Sequence, residues 1–287
     1  MNLLVFGLGF TGRRFAERAR DRFAIVRATV TEPAAAARIA GETGFSMRAF
    51  GPDVDDPRIA DELADTDALL VSVPPGADGD PVLARFRHAI AASRIGWIGY
   101  LSTIGVYGDQ GGAWIDEATP ATPRSARSKI RLEAEAAWLS LGAETGKAVQ
   151  VFRLAGIYGT GRNPIVKLRE GRSQRIVKAG QVFNRIHVDD IATTLLASLD
   201  RPRPGAIYNV TDDEPTAPQT VTEHAAALTG LPLPPEIDFE TADLSPMARS
   251  FYGENKRVRN RLIRDELGVD LAYPTYREGL AALKDQP

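Results

Sequence analysis

The stretch Met1–Gly12, MNLLVFGLGFTG, decides how the rest of the chain is read. Asn2 to Phe6 is a short apolar run that ends in glycines, which suits a strand of a parallel sheet buried on both faces. The glycines follow as GxGxxG, at Gly7, Gly9 and Gly12. In such a loop Gly7 permits a tight turn, Gly9 lets the backbone approach a pyrophosphate, and Gly12 lets the next helix pack closely on the sheet. From Thr11 to Arg22 the apolar residues Phe15, Ala16 and Ala19 fall at helical spacing among arginines. The N-terminus of that helix, with Phe10 and Thr11 in its first turn, offers free N–H groups and the positive end of a dipole to phosphates.

Working outward, Ala24 to Thr31 reads as a second strand. A helix then starts at Thr31-Glu32-Pro33, where Thr31 can cap and Pro33 sits where a missing N–H costs nothing. Ala68 to Val73 is a third or fourth strand, stopped by Pro74-Pro75-Gly76. Pro81 to Ser93 reads as a helix, Trp97 to Thr103 as a strand, Ile130 to Leu141 as an amphipathic helix and Val149 to Leu154 as a strand. This alternation predicts βαβ units with right-handed crossovers, hence an α/β fold: a Rossmann-type, doubly wound parallel sheet. After Ile157 glycine and proline become denser, and LPLPP (Leu231 to Pro235) interrupts any regular element. The expected division is a Rossmann NAD(P)-binding domain over 1–156 and a smaller substrate-binding lobe over 157–287. Residues 181–210 are expected to return to the first domain through AIYNV (Ala206 to Val210).

Composition narrows the function. The 287 residues hold 35 Lys plus Arg against 37 Asp plus Glu, a balance that argues against a nucleic-acid partner. With no cysteine there is no disulfide, thiolate metal site or cysteine nucleophile. His88, His187 and His224 lack metal-ligand spacing, so no metal is expected. No apolar run approaches the roughly 20 residues of a membrane span, and the N-terminus lacks a signal-like h-region, so a cytoplasmic protein is expected.

The choice of dinucleotide turns on the end of the second strand. NAD sites carry an acid there, about 20 residues past the glycines. No acid occurs between Ala24 and Thr31, and Glu32 lies in the helix cap. Thr29 and Thr31 have hydroxyls that could bond a 2′-phosphate, with Arg27 or Arg38 as charge partners. The expectation is NADP or NAD, with NADP favoured and Glu32 as counter-evidence.

Further landmarks follow in order: LSTIGVYGD (Leu101 to Asp109), FRLAGIYGTGRNP (Phe152 to Pro164), FNRIHVDDIA (Phe183 to Ala192), IYNVTDDEP (Ile207 to Pro215), NKRVRNRLIRDELG and YPTYREGL. With the glycine loop, they make the chain resemble, nearly end to end, the extended short-chain dehydrogenase/reductases, which include sugar-nucleotide epimerases and dehydratases. More closely it resembles an atypical branch in which GxGxxG replaces TGxxGxxG.

The resemblance implies an NAD(P)-dependent oxidoreductase, epimerase or dehydratase acting on a sugar-like or nucleotide-linked small molecule, with a Ser/Thr, Tyr and Lys catalytic set. Tyr and Lys at YxxxK share a helix face; the lysine lowers the phenol's pKa and holds the nicotinamide ribose. Carried over, the Ser/Thr position falls at Ser102 or Thr103 and the lysine at Lys129, while the tyrosine position is Ser125. A serine hydroxyl cannot do what the phenol does. Tyr107 of the VYG segment could act instead, as could Asp109 or Asp116, or the protein could bind dinucleotide as a sensor without turnover.

Pro74 would border the cofactor. Asn184, Arg185 and His187, with Tyr107, would border the substrate. Arg153, charged within an apolar run, suggests a paired structural role as readily as a catalytic one. Asp189 and Asp190 read as helix capping, and the basic run Lys256 to Arg261 as a solvated face or a phosphate grip. Relatives often pair through helices like Ile130 to Leu141, so a homodimer is expected.

Overall fold

Strand β1 (Asn2–Phe6) is buried at all five positions and runs through the middle of an eight-stranded sheet in the computed structural model, which describes residues 1–286. It leads through the glycines into helix α1 (Phe10–Ala19), whose Thr11, Gly12, Phe15, Ala16 and Ala19 face the core. Strand β2 (Ile25–Val30), helix α2 (Pro33–Thr43) and strand β3 (Ser46–Gly51) follow. The residue at the N-cap of α2 is Glu32, not Thr31, and no side-chain cap bond forms there. Thr31 remains an exposed residue just past β2.

Helix α3 (Arg58–Ala64) crosses back to strand β4 (Ala68–Val71) on the far side of β1. Helix α4 (Pro81–Ala92), strand β5 (Trp97–Thr103), helix α5 (Ala126–Thr145) and strand β6 (Ala148–Leu154) complete the progression. Helix α6 (Val188–Asp200) and strand β7 (Ile207–Val210) come after an excursion, and β7 pairs parallel to β6 at the sheet edge. The spatial order is β7-β6-β5-β4-β1-β2-β3, with a two-residue antiparallel strand, Val54–Asp55, beyond β3. Strand order reverses between β1 and β4, and the carboxyl ends of these two strands therefore flank the crevice where ligands bind in such sheets.

Each face of the sheet has its own core. Phe15, Ala16, Ile39, Met47, Phe152, Ile191 and Leu195 pack on one side, under α1, α2 and α6. Phe86, Ile90, Ala134, Trp138 and Leu141 pack on the other, under α4 and α5. Burial on both faces explains the near-continuous apolar strands. Asp80 caps α4 through the Val82 and Leu83 amides at 3.0 Å each, and its other carboxylate oxygen accepts the Trp138 indole N–H at 3.0 Å, tying α4 to α5. The apolar residues of α5 turn inward, which leaves Lys129, Glu133, Ala136 and Ser140 outward.

A separate group of helices packs outside the sheet. Helices Pro164–Arg169, Pro218–Thr229 and Tyr276–Leu283 share an apolar cluster of Ile165, Leu168, Val221, Ala225, Tyr276 and Leu280. Segment 231–235 is irregular, as its prolines require. Helix Tyr276–Leu283 docks through Gly279: a Cβ there would stand 2.7 Å from ring carbons of Tyr158 and in collision with its hydroxyl. No helix among the described residues is long and apolar enough to cross a membrane.

Candidate functional site

The loop between β1 and α1 assigns each glycine a distinct job. Gly7 has φ +89°, a left-handed conformation that side chains rarely adopt, and a Cβ there would stand 3.1 Å from Val73 Cγ2. A Cβ on Gly12 would stand 2.5 Å from the Gly7 carbonyl oxygen, so only glycine lets α1 come this close to the strand. A Cβ on Gly9 would meet nothing within 4 Å. Gly9 is the N-cap of α1 and makes no side-chain cap bond, so the amides of the first turn are not covered from that position. Phe10 is half-buried and Thr11 buried in that turn.

Thr29 shapes the loop from beneath. Its hydroxyl accepts the Gly7 N–H at 2.9 Å, and its carbonyl accepts the Leu8 N–H at 2.8 Å. It is 1% exposed and engaged with the loop backbone. Of the two arginines considered for a 2′-phosphate, Arg27 is buried beside Glu62 and Asp65, and Arg38 pairs with Glu42 at 2.5 Å. Pro74 is exposed two residues beyond Ser72, whose backbone lies against Gly7.

Beside this crevice, the end of β5 and the start of α5 carry four hydroxyls, three of which come together. Thr103 Oγ1 accepts the Gly105 N–H at 3.1 Å and shapes the turn Ile104–Tyr107. Ser125 is the N-cap of α5: its Oγ accepts the Ser128 N–H at 3.1 Å and donates to Ser128 Oγ at 2.9 Å. Helix α5 therefore begins where the family pattern would place its tyrosine, and Ser125 is explained by capping. Lys129 is exposed one turn further on, with its amide bonded to the Ser125 carbonyl at 3.0 Å. Ser128 Oγ and Thr103 Oγ1 lie 3.2 and 3.4 Å from where a Gly105 Cβ would stand, which places both against the same turn.

The fourth hydroxyl, Ser102, points the other way, into a buried polar network. It bonds the carboxylate of Glu135, which is 1% exposed and paired with Arg153 at 2.7 Å. The Arg153 guanidinium faces the Tyr107 ring at 4.7 Å, and the Tyr107 hydroxyl donates to Asn209 Oδ1 at 2.8 Å. The Asn209 backbone N–H donates to Glu117 Oε1 at 2.8 Å. Burial raises the pKa of Tyr107 and that of Glu117, Arg153 opposing the shift in both cases. A fully buried, hydrogen-bonded phenol with a raised pKa is poorly placed to exchange a proton with a ligand. Asp109 is no better an acid, because the amides of Asn255 and Gly111 hold its carboxyl below the usual range. Sequence reasoning missed Glu135 and Glu117; the signal for the former was Arg153 itself, a charge in an apolar strand that demands a buried carboxylate.

The three residues expected along the substrate side are held by partners within the protein. Asn184 donates to the Lys256 carbonyl at 2.9 Å and accepts the Val258 N–H at 2.8 Å, clamping the strand Arg257–Val258. Arg185 donates to the carbonyls of Phe183 and Thr216 at 3.0 and 3.1 Å. It lies near Asp212, whose pKa burial pushes up to about 8 against the pull of Arg185.

His187 is the N-cap of α6, accepting the Asp189 N–H at Nδ1 (3.2 Å) between the rings of Tyr158 and Tyr273. Burial lowers its pKa to about 4, so it is neutral at pH 7. Asp189 and Asp190 are therefore not the cap: Asp189 pairs with Arg14 of α1, and Asp190 accepts the Ala272 and Tyr273 amides. The run Lys256 to Arg261 is a solvated face only in part: Arg259 and Arg261 are exposed, whereas Lys256 is buried. Lys256 bonds the Gly108 carbonyl and Glu254, Arg257 bonds the Gly112 carbonyl, and Arg259 stacks on Trp114 at 5.1 Å.

No protein-family model matches the chain. It is 28% identical over 278 residues to protein YeeZ of Escherichia coli K12, covering 94% of this chain and 95% of that one. The solved UDP-glucuronic acid 4-epimerase of Bacillus cereus, in complex with NAD, superposes with a TM-score of 0.77 at 16% identity, over 99% of this chain and 98% of the other, a likeness of fold. A conserved protein of unknown function from Silicibacter pomeroyi DSS superposes with a TM-score of 0.90 and covers 99% of this chain and 98% of its own. At 48% identity over that length, the chain belongs to one family with the Silicibacter pomeroyi protein, built on the fold of the NAD-bound epimerase.

Proposed function

We propose that the protein binds a nicotinamide dinucleotide across the carboxyl ends of β1 and β4 and acts on a sugar-like or nucleotide-linked small molecule. The observation that carries this reading is Gly9, where the backbone at the N-terminus of α1 faces open space between two glycines that have none. The first-turn amides would hold the diphosphate, Lys129 the nicotinamide ribose, and the Thr103 and Ser125 hydroxyls a polar group of the substrate. The dinucleotide would supply a hydride acceptor or donor. Without a phenol, the proton that accompanies hydride transfer would pass through these hydroxyls and the Lys129 ammonium.

The surroundings of Thr31 favour NAD over NADP. Arg27 and Arg38 are both committed to carboxylates, and Glu32 stands at the strand end, where it would repel a 2′-phosphate and accept from ribose hydroxyls. This reverses the expectation drawn from the two threonines.

Calorimetric titration of cofactor-free protein with NAD, NADH, NADP and NADPH tests the reading. Dissociation constants below about 100 μM, or roughly 5.5 kcal/mol, are expected for NAD or NADH. No binding by any of the four would end the proposal.

A second reading, a dinucleotide sensor without turnover, is favoured by Ser125, which completes a helix cap and leaves no tyrosine in its place. It predicts that a broad metabolite screen oxidises or reduces no bound cofactor, while NAD and NADH differ in their effect on a partner or on self-association. Turnover of any carbonyl or alcohol substrate would decide for the enzyme.

A further inference from the structure

The loop GLGFTG carries no charged side chain, yet a dinucleotide brings it two negative charges. The arginines of α1 nearest the loop are already paired, Arg13 with Glu17 at 2.9 Å and Arg14 with Asp189. A different cation approaches from the second lobe. The turn Gly159–Arg162 is closed by two backbone bonds of 3.0 Å and pinned by Asn163, whose side-chain amide donates to the Gly159 carbonyl at 3.0 Å. This turn lies against Phe10. A Cβ on Gly159 would stand 3.2 Å from Phe10 Cζ, and the Arg162 guanidinium sits 5.6 Å from the centre of the Phe10 ring. Arg162 is exposed and makes no ion pair among the described residues.

We propose that Arg162 is a binding residue for the diphosphate of the dinucleotide, reaching it across Phe10 from the second lobe. The inference rests on the dinucleotide reading above. Three features support it. The guanidinium is an uncommitted charge beside a charge-free phosphate cradle, and its fork suits bidentate contact with phosphate oxygens. Stacking on Phe10, a residue of the loop itself, fixes its lateral position. The turn is braced by Asn163, so the side chain is carried on rigid backbone. One consequence is mechanical: a ligand held by α1 amides and by Arg162 joins the two lobes, so occupancy resists their separation.

The test compares wild type, Arg162→Gln and Arg162→Lys in titrations with NAD, adenosine diphosphate ribose and adenosine. Arg162→Gln is expected to weaken NAD and adenosine diphosphate ribose by the same factor, about tenfold or more, as befits a charge-assisted contact, and to leave adenosine unchanged. Arg162→Lys should fall between, keeping the charge without the fork. Far-ultraviolet circular dichroism and an unchanged Tm confirm that the exposed substitution leaves the fold intact. Equal NAD affinity for wild type and Arg162→Gln overturns the assignment while leaving the dinucleotide reading in place. A loss confined to NAD, with adenosine diphosphate ribose unaffected, also overturns it, because the contact would then lie at the nicotinamide end. Failure of the wild type to bind adenosine diphosphate ribose or any of the four dinucleotides of the earlier titration removes both readings together.

Discussion

Gly9→Ala and Gly12→Ala should separate binding from folding. The new methyl of Gly12→Ala would stand 2.5 Å from the Gly7 carbonyl oxygen and 3.2 Å from Val5 Cγ1, so α1 must move off the strand. Overpacking of this kind costs about 1–3 kcal/mol, offset by the ~0.5–1 kcal/mol that alanine gains over glycine within a helix. A contact this short to backbone puts the cost in the upper half of that range, so the net loss of roughly 1–2.5 kcal/mol corresponds to about 2–10 °C in Tm for a chain of this size class. At Gly9 the backbone is at φ −80° and ψ −165°, a conformation alanine adopts freely, and the methyl meets nothing within 4 Å. Its cost is that of a poorer N-cap, under about 1 kcal/mol, while its methyl occupies space that the phosphates need.

Thermal unfolding followed by circular dichroism and calorimetric titration with NADH, run on the same samples, give the comparison. Gly9→Ala should keep its Tm within a few degrees and lose at least about tenfold in affinity, whereas Gly12→Ala should lose both. A Gly9→Ala protein that binds NADH like wild type would refute the assignment of the open face to the diphosphate. A Gly12→Ala protein with unchanged Tm would refute the close approach of α1.

Three other consequences can be measured. Gly279→Ala, which drives a methyl into Tyr158, should lower Tm, and Tyr158→Leu in the same chain should recover part of the loss; additive losses would speak against the contact. Asp212 keeps its proton up to about pH 8 in the folded chain but loses it near pH 4 when unfolded, so its contribution to stability is full below pH 4 and is lost as pH rises to 8. Asp212→Asn should therefore show a flatter loss of stability over that interval by denaturant titration, and an unchanged pH slope would contradict the burial. Glu135→Leu or Arg153→Met alone should cost about 3–5 kcal/mol in urea titrations by stranding a buried charge, and the double variant should recover most of it. Single variants as stable as wild type would remove the pair from the core.

The fold was legible where local geometry and apolar patterning act together. The glycine loop is a local demand of backbone and packing, so its three residues could be assigned roles from spacing alone. Strands β1, β5 and β6 are buried throughout or nearly so and read as apolar runs, interrupted in β6 by Gln150 and Arg153. Strand β3 was missed because Ser46, Arg48 and Gly51 interrupt its apolar positions. The start of α5 was placed four residues late, because Ala126 to Lys129 offers little apolar periodicity and its cap lies in Ser125.

The polar residues were harder. Asn184 meets a strand 72 positions away, Tyr107 meets Asn209 across 102, and His187 packs against Tyr273. Side chains of this kind look like ligand contacts in a sequence because their partners are distant. Arg162 escaped notice for the same reason: its neighbour Phe10 lies at the other end of the Rossmann lobe.

The placement of β7 beside β6 bears on how the chain is made. Every residue of β6 is buried, and its outer edge is covered by β7, which begins about 50 residues further along the chain. At synthesis rates of about 5–20 residues per second, that edge waits roughly 3–10 seconds for its partner to emerge from the ribosome. During that interval Ala148–Leu154 is an apolar strand with a row of open hydrogen-bonding groups, the kind of template that recruits a strand from another molecule. A nascent chain stalled near residue 190, with β6 just clear of the exit tunnel, should thus be a stronger client for a holdase chaperone than one stalled near residue 250, with β7 also clear, although the shorter chain already contains every residue of the glycine loop.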